Sequence, residues 1–388
     1  MSVQWRTRHS LGALAASLVT AGLVVVPGAA AAPGAAAPAA NCQVWTGVPP
    51  PSPGALVNAL TGVRALGLCN VWAVGFYQNV NDGQILSLAE HWNGTAWKVM
   101  PTPSPDPGRN VLSAVGAATI NDAWAVGETG SKSFILHWNG AFWTQAPSPS
   151  PSSDNNDLSG VAVVSATDAW AVGQYFVGAT VVNPLVLRWD GQNWTQTAVP
   201  APGSQSVLEA VTAISASNAW AVGAFTTSGG QQKTLIEHWN GTKWVQVPSP
   251  NPTGTVSEIG LNGVTATSPS DAWAVGTYTT GTMDKTLIEH WNGTAWKLVA
   301  SPNPEPRDDL NAVTATSAGN AWAVGFRGTS EQTLIVHWNG TAWKVVPSPS
   351  LGQSSDLAGV AAPSATSVWA VGNYGAGGVT QVLAAHCC

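Results

Sequence analysis

The sequence predicts an all-β fold: a seven-bladed β-propeller of four-stranded blades, the last blade closed by the N-terminal strand. Three observations lead there. Trp-Ala-Val-Gly begins at Trp72, Trp124, Trp170, Trp220, Trp273, Trp322 and Trp369, at spacings of 52, 46, 50, 53, 49 and 47 residues. A second phrase, His-Trp-Asn-Gly-Thr-Ala-Trp, follows at His91, His290 and His337, with variants at His137, Arg188 and His238. In all seven copies a Val stands nine residues before the first Trp, as Val115 does before Trp124 and Val264 before Trp273. Repeats of this length are stacked units that cannot bury their apolar faces alone.

One repeat reads as four strands. Residues 310–316 carry small and β-branched side chains, which suits a crowded inner strand. Residues 317–320 make a turn. Residues 321–326 alternate, with Trp322, Val324 and Phe326 on one face and Ala323 and Gly325 on the other. The Ala/Gly face leaves room for the Trp of the neighbouring blade. Residues 333–338 are a third strand, Asn339-Gly340 is a two-residue hairpin signal, and residues 342–346 are the fourth. Pro347 and Pro349 end it, because proline has no N–H to give to a ladder.

The seventh copy stops at His386-Cys387-Cys388, where the others run on into Trp-Asn-Gly. Its missing fourth strand is expected at the other end, in Cys42-Gln43-Val44-Trp45. That alignment sets Cys42 at the turn Gly and Cys387-Cys388 at the Trp-Asn positions. Cys69 falls in the inner turn of the adjacent first blade, so all four cysteines, Cys42, Cys69, Cys387 and Cys388, gather at the seam as expected disulfide partners. Three pairings are possible; Cys42 with Cys388 and Cys69 with Cys387 is favoured.

Residues 1–31 read as a secretory signal peptide: Arg6, Arg8 and His9 precede an apolar stretch over 11–26 and Ala-x-Ala options near Ala29. Residues 32–41 are an Ala/Pro spacer and 42–388 the propeller. A secreted, extracellular, monomeric protein without membrane insertion is expected. Lys+Arg is 14 and Asp+Glu 20; without Arg6 and Arg8 the balance is 12 against 20, a net of −8. That excludes a basic footprint for nucleic acid. With 41 Gly, 27 Pro and 21 Trp, the composition suits turn-rich β structure with an aromatic core. Trp5 aside, every Trp stands at one of three recurring positions.

The Gly-ended second strand and Trp-closed hairpin resemble kelch-type and galactose-oxidase-like propellers over nearly all of 42–388. The pattern departs from kelch in having single glycines such as Gly276 and His290-Trp291 where kelch repeats have a Gly pair and a Tyr. The resemblance implies architecture; propellers host unrelated functions.

Two rings of positions are candidate sites. Two residues beyond the Gly of the first phrase stand Tyr77, Thr129, Tyr175, Phe225, Tyr278, Arg327 and Tyr374, on the rim where aromatics could stack on sugars or anchor a protein, or else pack between blades. Two residues before the inner Val stand Thr61, Ser113, Ser159, Glu209, Asn262, Asn311 and Ala358, near the axis, where water is the expected occupant. The six repeat histidines sit in separate blades and cannot share a metal; a hydrogen bond to the inner turn is their expected role. No cofactor is implied, and no Gly-x-Ser-x-Gly, His-Glu-x-x-His or phosphate loop occurs. The reading is an exported binding protein, lectin-like, taking a glycan or cell-envelope polymer through rim aromatics. The alternatives are a scaffold binding an extracellular protein and a hydrolase without a local motif.

Overall fold

The structure is a computed structural model that describes residues 44–79 and 82–388. Everything below belongs to one compact unit within residues 41–388. The expected signal peptide, spacer and Cys42 lie outside the described residues.

Among the described residues there are 28 strands and no helix. Each repeat pairs first to second to third to fourth strand, antiparallel throughout. In the sixth repeat these are Asp308–Ser317, Asn320–Arg327, Gln332–Trp338 and Trp343–Val346. Five sheets have four strands and one has eight. The larger sheet is the third and fourth repeats, joined by one parallel bridge, Val182 to Gln205. Similar lone bridges, Ile85 to Arg109 and Asp284 to Arg307, touch between other neighbours. The final sheet takes its outer strand from the N-terminal segment, as expected, but at Trp45–Gly47, with Val44 outside the strand and Trp45 opposite Cys387.

The first strands form a cycle. Each contacts the first strand of the next repeat, and Ser354–Ser364 returns to Asn58–Gly67. Small residues permit the approach: Gly62, Ala114, Gly160, Ala210, Gly263, Ala312 and Gly359 occupy one position. A Cβ on Gly62 would lie 2.9 Å from the Ala114 Cα, and one on Gly359 would lie 3.2 Å from the Val63 nitrogen. At Gly62 even a methyl would press on the neighbouring backbone.

Tryptophans fill the joints between repeats. Each Trp of the first phrase is at most 2% exposed and reaches forward into the next repeat. Trp72 meets Trp138 and Trp143 at centroid distances of 4.9 and 5.1 Å, and Trp273 meets Trp338 and Trp343 at 4.9 and 5.1 Å. The same cluster holds Ala321 and Ala323, so the Ala face does receive the neighbouring indole. Tilted and edge contacts of this kind add to the area they bury.

The hairpin differs from the two-residue turn expected at Asn339-Gly340. Trp338 pairs with Trp343, leaving a four-residue loop. Asn339 Oδ1 accepts from the Thr341 and Ala342 N–H groups at 3.1 and 3.0 Å, and Gly340 has φ 91°. The Asn side chain closes the loop as an Asx turn, which a bare type I′ count misses. The loop also explains Asn93, Asn240 and Asn292 in the same local geometry.

Candidate functional site

The repeat histidines serve the scaffold. His137 Nε2 lies 2.8 Å from Asp122 Oδ1, His290 2.7 Å from Asp271, His238 3.1 Å from Asn218 and His337 2.6 Å from Asn320. In these four cases the partner is the first residue of the second strand, as Ser367 is for His386 at 3.0 Å, whereas His91 Nε2 has no partner among the described residues. The rings lie against the first-phrase Trp, 4.2 Å between centroids for Trp124 and His137. Arg188 replaces the His in the third repeat, bonded to Asp168 at 3.1 Å with its guanidinium 4.9 Å over Trp170. Burial lowers the pKa of His91, His238, His337 and His386. Among the described residues no group of three His, Cys, Asp or Glu could hold a metal.

The rim aromatics are half-buried. Tyr77, Tyr175, Phe225, Tyr278 and Tyr374 each pack against a core cluster between repeats. The Tyr374 hydroxyl donates to Gln381 Oε1 at 2.6 Å. Thr129 is buried and donates to Asn110 Oδ1 at 2.8 Å. Arg327 is half-buried opposite Asp308, whose carboxyl desolvation raises to about 6 against the pull of that cation.

The inner ring lies at a backbone irregularity in every repeat. Thr61, Ser113, Ser159, Glu209, Asn262, Asn311 and Ala358 are each the extra residue where the register shifts, between Leu60 and Gly62 in the first case. Three of them bond the next repeat, where water was expected to be their partner. Thr61 Oγ1 donates to the Leu112 carbonyl at 2.7 Å, Asn262 Nδ2 to Leu310 at 2.9 Å and Asn311 Nδ2 to Leu357 at 2.9 Å. The bulge turns these side chains along the ring.

A third ring, which the sequence reading passed over, carries the charge. One residue before each buried inner Leu stand Ala59, Val111, Asp157, Val207, Gly260, Asp309 and Asp356. Opposite them, just after the phrase Gly, stand Phe76, Glu128, Gln174, Ala224, Thr277, Phe326 and Asn373. Asp309 accepts from Thr277 and Asn262, and Asp356 from Asn311 at 2.9 Å. On the other side of the ring, Arg109 Nε bonds Glu128 Oε1 at 2.6 Å. Asp157 is pushed up to about 7, first by desolvation and then by the charges of Glu128 and Glu209, with Arg109 opposing. Burial and the neighbouring like charges therefore favour the neutral form of this carboxyl. Pairing the two strands by register would have exposed this ring in the sequence.

The cysteine pairing needs correction. Cys69 and Cys388 are exposed free thiols, whereas Cys387 is buried and is not a free thiol. Cys69 faces its own hairpin: a Cβ on Gly94 would lie 2.8 Å from its sulfur. It fills the place of Asn121 or Ser217 in other repeats and does not turn to the seam.

No family model matches the chain, and no curated protein matches it. Solved structures do. A structure described as YCF48 bound to D1 peptide is 15% identical, with a TM-score of 0.56, over 90% of this chain and 100% of that one. YCF48 from Cyanidioschyzon merolae is 13% identical, with a TM-score of 0.54, over 88% and 98%. A GH74 xyloglucanase from Xanthomonas campestris is also 13% identical, with a TM-score of 0.54, over 87% of this chain and 55% of that one. The chain has a β-propeller fold. At these identities the likeness extends to fold alone. No helix among the described residues is long and apolar enough to cross a membrane.

Proposed function

We propose that residues 42–388 form a seven-bladed, kelch-like propeller, exported behind the signal peptide 1–31, that binds without chemistry a basic segment of an extracellular protein. The observation that carries this reading is the cluster of carboxyls around the inner strand of the third repeat. There Asp157, half-buried, stands within the fields of Glu128 and Glu209, with Arg109 as the opposing cation. A lysine or arginine side chain reaching that cluster would replace the proton on Asp157 and gain charge-assisted hydrogen bonds. The peptide held by the YCF48 relative of the same fold supports a peptide as ligand. The half-buried rim aromatics would border the path of the peptide backbone.

A panel of extended peptides with basic, neutral or acidic centres, titrated against the purified protein, tests the reading. Basic peptides should bind best, with affinity falling as salt rises. Equal binding of all three kinds would overturn it. A second reading, glycan recognition, rests on the partial exposure of Tyr77, Tyr175 and Tyr278. Binding on a glycan array, lost stepwise as these tyrosines become Ala, would favour it instead.

A further inference from the structure

Three glutamates occupy one position in the third strands of different repeats. Glu90, Glu237 and Glu289 pair across their sheets with Ala73, Ala221 and Ala274 on one side and Val99, Gln246 and Leu298 on the other. All three are 0% exposed. The other repeats put Leu136, Leu187, Val336 and Ala385 there, all apolar and buried. Neither carboxyl oxygen of Glu90 or Glu237 has a hydrogen-bond partner among the described residues. Glu289 has one: the Ser249 hydroxyl, on the segment leaving the preceding repeat, donates to its two oxygens at 3.0 Å.

The difference has a sequence cause. Ser249 stands five residues after the closing Trp244. Five residues after Trp194, ahead of the repeat that holds Glu237, stands Val199. Five after Trp45, ahead of the repeat that holds Glu90, stands Pro50. Neither has a hydroxyl to offer. No charged group acts on any of the three carboxyls; desolvation alone pushes Glu90 and Glu237 up to about 8, and it does so for Glu289 against the pull of Ser249. An uncompensated buried charge is costly, so each carboxyl stays neutral.

We propose that Glu90, Glu237 and Glu289 make the third strands of their repeats proton-dependent, seated when neutral and loosened when ionised, with Glu289 buffered by Ser249 of the preceding repeat. In the unfolded chain these groups ionise near 4.5; in the fold they keep their protons to about 8. Folding therefore retains protons the unfolded chain releases, and stability falls as pH rises through that window. Asp157 and Asp308, raised to about 7 and about 6, add a smaller fall of the same sign, while His91, His238, His337 and His386, lowered by burial, add an opposing rise confined to the acidic end of the window.

Thermal unfolding of the full chain between about pH 5 and about pH 9 tests the proposal. The wild-type melting temperature should drop by at least about 5 °C, and the double variant Glu90→Gln, Glu237→Gln should lose most of that drop. Val199→Ser, which offers Glu237 the donor Glu289 already has, should lessen it alone. At the alkaline end, hydrogen exchange corrected for intrinsic rate should rise in Ile85–Trp92 and Gln232–Trp239 above Lys132–Trp138 and Gln332–Trp338. A melting temperature that is flat or rising with pH, or a double variant with the wild-type slope, would overturn the proposal. Should the double variant not fold, uniform exchange across those four strands does so equally.

Discussion

Trp369, in the second strand of the last repeat, meets Trp97, which closes the hairpin of the first, edge to face with ring centroids 5.4 Å apart. Trp92 stands beside them, 5.2 Å from Trp369. The ends of the repeat array are thus joined by the same contact that joins its interior.

Replacing that indole tests how much the joint contributes. Trp369→Ala should destabilise by about 3–5 kcal/mol in denaturant unfolding, the range for a fully buried aromatic. Trp369→Phe should cost clearly less, because the Trp369 Nε1 has no partner to lose. Equal losses would show that the indole nitrogen matters in a way its surroundings do not suggest.

A second prediction concerns the inner cycle. Gly359→Val places its Cβ 3.2 Å from the Val63 nitrogen and 3.3 Å from the Gly62 Cα, both backbone atoms that cannot yield cheaply. Gly47→Val meets nothing within 4 Å. Melting temperature should fall sharply for the first and little for the second.

Peptide mapping without reduction should find Cys42 joined to Cys387, with Cys69 and Cys388 open to alkylation. Trp45 faces Cys387 as Trp343 faces Trp338, so by the same register Cys42 corresponds to Gly340, two positions past Trp338. A Cys69 crosslink in the isolated protein would contradict this assignment.

The acidic cluster yields a pH prediction of opposite sense to the buried glutamates. The Asp157 carboxyl is pushed up to about 7, and a bound cation favours the ionised form. Affinity for a lysine-centred peptide should therefore rise from about pH 6 to about pH 8. Asp157→Asn should flatten that rise and weaken binding at the higher pH by about tenfold. Isothermal titration at the two pH values measures both.

The repeat made the scaffold legible because one chemical need recurs seven times. Trp72 to Trp369, the His partners and the N-terminal outer strand all follow from spacing. The charged ring was harder to see because it is unequal: Asp157, Asp309 and Asp356 share a position with Ala59, Val111, Val207 and Gly260. Only strand register sets Glu128 into the same ring as Asp157. The hydroxyls that follow five of the seven fourth strands, at Thr102, Ser148, Ser249, Ser301 and Ser348, were hidden among the prolines that end those strands. Thr333 Oγ1 lies 2.8 Å from Ser348 Oγ and donates to the Pro349 carbonyl at 3.0 Å, tying the exit segment down. Cys69 misled because proximity to the seam in sequence terms says nothing of which way a turn side chain faces.

The close approach of first strands carries an arithmetic of its own. Around the cycle the contact position alternates Gly62, Ala114, Gly160, Ala210, Gly263, Ala312 and then Gly359. An odd number of places cannot alternate two kinds all the way round, so somewhere like must touch like. Here two glycines touch, Gly359 beside Gly62, between the repeat that holds the final residues and the one that follows the N-terminal strand. Two methyl-bearing neighbours would have crowded the axis; two glycines let the backbones meet, with a Cβ on Gly359 only 3.2 Å from the Val63 nitrogen. The parity mismatch thus falls at the one joint whose sheet is assembled from both chain ends, and it is met there by the loss of both methyls.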